Sequence, residues 1–124
     1  MNVNQKGVKG LIKVIDNLQD RGYFSFPAFD DHSPVDIIAL DQNGKTFRLQ
    51  VKYKSDYELR TSSVVNGKRV EINRDMIDGW AIYLENEKKV VYLNKDVMLN
   101  RKYLKINIEK DYGELGEWSI PTRC

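Results

Sequence analysis

The chain has 124 residues, a length typical of one domain, and 41% of its residues are hydrophobic and 31% charged, as in a folded protein. The single cysteine, Cys124, excludes a disulfide framework, and the net charge of +2 does not by itself indicate a nucleic-acid partner. No apolar run approaches the roughly 20 residues that a membrane span needs, and the N-terminus lacks a secretion signal. The composition therefore predicts a single cytoplasmic domain over residues 1–124 with no membrane partner.

The first element predicted from the sequence is an amphipathic helix over residues 4–21. Its apolar residues recur at helical spacing, and Gly22 supplies a stop signal. These apolar residues are Val8, Leu11, Ile12, Ile15 and Leu18. A short aromatic strand follows at 23–29, where Pro27 indicates an edge position. Strands at 35–40 and 46–53 then flank an Asn-Gly turn.

The loop between these two strands decides which face of the sheet each side chain occupies. A two-residue turn at Asn43-Gly44 would place Asp36 opposite Val51, whereas a three-residue loop over 42–44 pairs Asp36 with Gln50. We favour the three-residue loop, with Gly44 left-handed, because it collects the apolar residues on one face. Those residues are Val35, Ile37, Ala39, Phe47, Leu49, Val51 and Tyr53.

The second half of the chain reads as further strands. A hairpin is predicted over 57–73 with its turn at Asn66-Gly67, strands at 80–84, 89–93 and 103–108, and a short helix at 95–100. The acidic tail from residue 109 is predicted to be peripheral. The hairpin region is rich in basic residues that could contact phosphates: Lys54, Arg60, Lys68, Arg69 and Arg74. A solvated charged hairpin is the alternative interpretation.

Three polar residues of the central strand pair have the chemistry of a phosphodiester-cleaving site. Asp36 supplies a carboxylate for Mg²⁺ or Mn²⁺, and Gln50 offers an amide oxygen. The peptide carbonyl of Val51 could be a further ligand. Lys52 supplies a cation that can orient a water or offset charge at phosphorus.

The order of these residues resembles the PD-(D/E)XK nuclease superfamily. The resemblance rests on S-P-V-D-I-I, a thirteen-residue gap after Asp36, and G-K-T-F-R-L-Q-V-K, and extends more weakly over residues 5–95. It is strongest to the branch with Gln in the (D/E) position, which includes a cyanobacterial group I intron-encoded homing endonuclease. The resemblance implies a restriction-endonuclease-like mixed α/β (α+β) core, a four- to five-stranded sheet with helices on its faces. It also implies that Asp36 and Gln50 are metal or active-site ligands and that Lys52 is the catalytic lysine.

One position departs from the pattern of that family. Members often carry a glutamate in the first helix as an additional ligand, and here Leu11 occupies the matching place. The expected function is a Mg-dependent DNA endonuclease acting as a homodimer or higher oligomer, since two cuts need two sites. The alternatives are a DNA- or partner-binding module that has lost the chemistry, a Holliday-junction resolvase, and an unrelated α+β protein. The biological role could be intron mobility, restriction, repair or a phage function.

Overall fold

The N-terminal helix is capped at both ends by its own sequence. A computed structural model of the chain describes residues 1–30, 32–60, 62–65, 68–71, 74–99 and 101–118, without the side chains of 62–65, 68–71 and 74. Helix α1 spans Val3–Asp20, and Asn2 and Gln5 form a reciprocal capping box in which each side chain accepts the other's backbone N–H at 2.9 Å. Gly22 has a φ of +85°, which confirms the predicted stop.

Nine strands occupy the described part of the chain. They are β1 (Phe24–Pro27), β2 (Ile37–Leu40), β3 (Thr46–Lys54), β4 (Glu58–Arg60), β5 (Ser62–Val65), β6 (Lys68–Glu71), β7 (Gly79–Leu84), β8 (Lys89–Asn94) and β9 (Tyr103–Lys105). Five form one sheet in the order β1-β2-β3-β7-β8, in which β3 and β7 are parallel and the other pairs antiparallel. The predicted mixed sheet with the first helix packed on it is confirmed.

The loop between β2 and β3 has the three-residue form. Ile37 pairs with Leu49, and the Asp41 N–H donates to the Lys45 carbonyl at 2.9 Å, so the loop consists of residues 42–44. Gly44 has a φ of +87°, a backbone conformation that residues with a Cβ rarely adopt. The predicted pair of Asp36 with Gln50 does not form, because the regular pairing ends at Ile37–Leu49 and the Asp36 N–H donates to the Leu49 carbonyl at 2.9 Å instead.

Two apolar clusters cover the two faces of the sheet. The α1-side cluster contains Val14 and Leu18 of the helix, which are fully buried. The second cluster lies on the other face and includes Trp80. Two of the predicted core residues of the helix, Val8 and Ile12, are instead 58% exposed each. The buried stripe is centred on Gly10, Val14 and Leu18, because the helix approaches the sheet through Gly10.

The placement of Val35 was predicted wrongly. It packs against the second cluster rather than with Ile37 and Ala39. Strand β2 begins only at Ile37, so the alternation of the strand does not extend to residue 35.

The C-terminal tail is not peripheral. Leu115 is fully buried and Trp118 is 6% exposed, and the Trp118 ring meets that of Phe47 edge-on at 6.1 Å. Trp118 also covers Gly79, where an added Cβ would lie 2.6 Å from the indole ring. The last predicted strand, at 103–108, is shorter in the structure: β9 ends at Lys105 and pairs with β4, outside the five-stranded sheet.

The parallel pair β3–β7 is fixed where β7 begins. Asp78, 3% exposed, accepts from the Arg48 N–H at 2.8 Å and forms an ion pair with the Arg48 guanidinium at 3.2 Å. The Asp78 N–H donates in turn to the Arg48 carbonyl at 2.8 Å. These contacts set the register in which Gln50 lies opposite Trp80. In the described part of the chain, no helix has both the length and the apolarity to cross a membrane.

Candidate active site

Asp36 lies at the point where β2 separates from β3. Its N–H still donates to the Leu49 carbonyl at 2.9 Å, as the last bond of the strand pair. Its carboxylate oxygen Oδ2 accepts from the Val51 N–H at 2.7 Å. The amide and carbonyl of one residue project to the same edge of a strand. The Val51 carbonyl therefore projects to the edge of β3 that carries the Asp36 carboxylate.

A cavity of about 310 Å³ opens beside Asp36 between helix α1 and β3. Leu11 of the helix and Val51 and Tyr53 of the strand line it. Asp30 from the loop after β1 also lines it, and the sequence reasoning had not singled that residue out. The only sequence signal was its position in the acidic loop that precedes Ser33-Pro34. Burial raises the pKa of Asp36 above its ordinary value, against the lowering effects of the Val51 N–H and the Lys52 charge.

Gln50 and Lys52 lie on the same face of β3, opposite to the face that carries Val51 and Tyr53. Neither residue lines the cavity beside Asp36. Lys52 nevertheless interacts electrostatically with Asp36. Burial lowers the pKa of Lys52, the nearby Lys54 lowers it further, and Asp36 acts in the opposite sense. The structure thus brings a half-buried carboxylate and a half-buried ammonium within electrostatic reach of each other at the end of the β2–β3 pair.

Gln50 has a defined partner in the sheet. The indole N–H of Trp80 donates to Gln50 Oε1 at 3.1 Å, and Trp80 has no exposed surface. Trp80 belongs to the second apolar cluster, and the sequence did not associate it with Gln50. That association depends on the parallel pairing of β3 with β7, which no local sequence pattern shows.

Helix α1 is held against this site by an ion-pair cluster. Lys9 Nζ donates to Glu85 Oε1 at 2.7 Å, and Lys88 Nζ donates to the same oxygen at 2.9 Å. These two bonds lower the pKa of Glu85 to about 2. At the residue after Lys9, Gly10 lies so close to β3 that an added Cβ would be 3.3 Å from the Tyr53 Cβ. This close contact directs the next residue, Leu11, to the cavity wall.

The predicted phosphate-contacting residues are described in part. Lys54 Nζ lies 3.9 Å from Asp56 Oδ1. The exposed Arg60 forms an ion pair in which its guanidinium nitrogen lies 3.3 Å from Glu58 Oε2. Strands β5 and β6 pair as a hairpin with Val65 opposite Lys68, whereas its turn, Asn66-Gly67, lies outside the described residues. The backbone of Lys68 and Arg69 belongs to β6, and Arg74 begins a one-turn 3₁₀ helix, Arg74–Met76.

Comparison with known structures identifies a similar fold. A bacterial homing endonuclease, I-Ssp6803I, superposes with a TM-score of 0.72 over 98% of this chain and 85% of its own. The fold is similar to that of a homing endonuclease. The two sequences are only 13% identical, so the similarity establishes the fold and leaves the chemistry to the site itself. No protein-family model and no curated protein matches the sequence.

Proposed function

We propose that the chain is a metal-dependent DNA endonuclease of the PD-(D/E)XK type that hydrolyses phosphodiester bonds. The observation that carries the proposal is the position of Asp36 and Lys52. Both lie where β2 separates from β3, Asp36 at the cavity and Lys52 on the other face of β3, in a fold similar to that of a homing endonuclease. A half-buried carboxylate and a half-buried ammonium at the same end of a strand pair both cost stability, which points to a use in chemistry.

The donors around Asp36 fit a hydrated Mg²⁺ or Mn²⁺. Mg²⁺ is commonly bound by one or two carboxylates, with waters and substrate phosphate completing its shell. Asp36 and the Val51 carbonyl share one edge of β3, and Asp30 lines the same cavity. Within the described residues no group of three His, Cys, Asp or Glu could hold a metal by itself, so phosphate and water oxygens would be needed. Such an ion supplies polarisation of the phosphoryl oxygen and a lower pKa for its water.

The residues of the chain supply the remaining functions. The Asp36 carboxylate must be ionised to bind a cation, and the Val51 N–H holds it in one orientation. The Lys52 ammonium offsets the negative charge that develops on the phosphoryl oxygens. Gln50 lies on the face of β3 that also carries Lys52. The family resemblance implies that Gln50 is a metal ligand. The hydrogen bond from Trp80 to Gln50 Oε1 affects which atoms of Gln50 can bind a metal or a phosphate.

The DNA backbone would be held by the basic residues that follow Lys52. Lys54 and Arg60 are the members whose side chains are described, and Lys68, Arg69 and Arg74 complete the proposed set. One site per chain makes one cut, so cleavage of both strands requires a homodimer or higher assembly. Light scattering of the protein with and without duplex DNA measures that state. Alanine at Lys54 or Arg60 should reduce the slope of log affinity against log salt by about one each.

The experiment that tests the proposal is nicking of supercoiled plasmid in Mg²⁺ and in Mn²⁺. We expect nicking by the wild type and a loss of on the order of 10²-fold or more in rate for Lys52→Ala and Asp36→Asn. Lys110→Ala removes the same charge from the exposed C-terminal segment and should nick normally. Equal rates for all four proteins would show that the activity is a contaminant. A four-way junction in the same assay tests for resolvase activity.

A DNA-binding module without chemistry is the second candidate, and Leu11 is the observation that favours it. Its apolar side chain lines the cavity where the family resemblance places a helix carboxylate. A protein of this kind would retard duplex DNA in a gel with normal salt dependence and nick it in neither metal. Nicking that depends on Lys52 would exclude it.

A further inference from the structure

The hydrogen bond between Trp80 and Gln50 occupies one of the two lone pairs of the Gln50 carbonyl oxygen and uses neither of its amide N–H donors. An indole N–H can only donate, so the Gln50 atom that faces it at 3.1 Å is the carbonyl oxygen Oε1. The orientation of the amide follows from this chemistry rather than from a choice between two similar atoms. Because Trp80 has no exposed surface, water cannot replace Gln50 as the acceptor.

The same bond determines the direction of the amide nitrogen. With Oε1 against the indole, Nε2 is turned away from Trp80, and its two N–H donors form no hydrogen bond with a described residue. Lys52 follows two positions along β3 on the same face. Two neighbouring side chains on this face therefore present N–H donors, which suit the anionic oxygens of a phosphate.

We propose that Trp80 is a positioning residue that fixes Gln50 as a hydrogen-bond donor to a phosphate oxygen of DNA, not as a ligand of the metal. This inference rests on the proposed function and changes one part of it, the metal-binding role of Gln50. The metal is then held by oxygens at the edge of β3, and Gln50 acts with Lys52 on the phosphate. Trp80 acts only through Gln50.

Metal affinity and DNA affinity of variants distinguish the two roles of Gln50. For Gln50→Ala we expect Mg²⁺ affinity, measured by calorimetry without DNA, to stay within about twofold, since removal of a group that supports a metal costs tenfold or more. Affinity for a short duplex in Ca²⁺ should fall by about fivefold to tenfold. Gln50→Glu keeps an acceptor for the indole but removes both donors, so it should lose DNA affinity similarly. Gln42→Ala, an exposed amide in the loop before β3, is the matched control.

The role of Trp80 is tested by NMR and by a double-mutant cycle. The chain has two tryptophans, so its spectrum contains two indole N–H signals, and Trp80→Phe assigns them. The chemical shift of the Trp80 indole N–H should change in Gln50→Ala. It should stay close to its wild-type value in Gln50→Glu and when Mg²⁺ alone is added to the wild type. Trp80→Phe should weaken DNA binding in the wild type but not in Gln50→Ala, because both substitutions remove one function.

Several outcomes would overturn the inference. A Mg²⁺ affinity at least tenfold weaker in Gln50→Ala, or a Trp80 signal that shifts with Mg²⁺ alone, would make Gln50 a metal ligand. Additive losses from Trp80→Phe and Gln50→Ala would make Trp80 merely structural. Wild-type DNA affinity in Gln50→Glu would refute the donor role while leaving the proposed nuclease intact. If the wild type binds no DNA, the proposed function fails and the inference fails with it.

Discussion

Replacing Leu11 by glutamate adds a carboxylate to the cavity that Asp36 and Asp30 already line. Leu11 is half-buried and packs against the α1-side cluster. Full burial of a leucine is worth about 1.5–3 kcal/mol, so losing half of that costs about 1 kcal/mol. A new negative charge near Asp36 also raises the pKa of Asp36 further, which adds a like-charge penalty in the absence of metal. We expect the metal-free variant to be about 1–3 kcal/mol less stable than the wild type.

Mg²⁺ should reverse this loss. An ion that binds only the folded state adds about 2.7 kcal/mol at a hundred times its dissociation constant. The melting temperature of Leu11→Glu should therefore start roughly 4–12 °C below that of the wild type, at about 4 °C per kcal/mol, and approach it as Mg²⁺ is added. The measurement is thermal unfolding across a Mg²⁺ titration, followed by plasmid nicking at the same concentrations.

Two control variants separate metal binding from general effects of charge. Ile12→Glu adds the same charge at the next, 58% exposed position of the helix and should change stability by less than about 0.5 kcal/mol, without Mg²⁺ dependence. Leu11→Glu combined with Asp36→Asn should lose the Mg²⁺ response, because the Asp36 carboxylate, the proposed metal ligand, is gone. If Leu11→Glu responds to Mg²⁺ no more than Ile12→Glu does, the cavity is not a cation site and the assignment of Asp36 fails.

Further substitutions test the strained and buried groups of the fold. Lys52→Met should abolish nicking yet raise the free energy of unfolding by about 0.5–2 kcal/mol in urea titrations. The reason is that burial lowers the pKa of Lys52, so its charged form costs stability. A lower free energy of unfolding in Lys52→Met would contradict this. The pH–rate profile should rise on its acid side above pH 3.8, the ordinary pKa of an aspartate, because Asp36 must ionise and its pKa is raised in the folded protein. The free energy of unfolding should fall as pH increases between the unfolded and folded pKa values of Asp36, because the folded state holds the proton more tightly. Asp36→Asn should remove that decrease. Gly44→Ala should cost about 1–2 kcal/mol at its positive φ, whereas Gly7→Ala in open helix should add about 0.5–1 kcal/mol; equal effects in thermal unfolding would exclude the left-handed loop. Gly79→Ala should destabilise by at least about 1–3 kcal/mol because Trp118 and the Leu93 carbonyl occupy the space of its Cβ, and a normal melting temperature would refute that packing.

The local elements of this protein are determined by its sequence. The period of apolar residues and the caps at Asn2 and Gly22 define the helix. The apolar alternation on either side of Asn43-Gly44 required the three-residue loop, and hence the pairing of Ile37 with Leu49. These features depend on residues close together in the chain, where periodicity and turn chemistry are sufficient.

The tertiary structure decided which groups meet from distant parts of the chain. The parallel pairing of β3 with β7 brings Trp80 to Gln50, and the α1-side packing brings Leu11 to the cavity of Asp36. It also brings Trp118 from the acidic tail into the core over Gly79. Each of these contacts spans at least 25 residues and depends on shape and burial rather than on a local repeat. The sequence thus located the carboxylate, the amide and the lysine, and the fold determined the neighbours that define their chemistry.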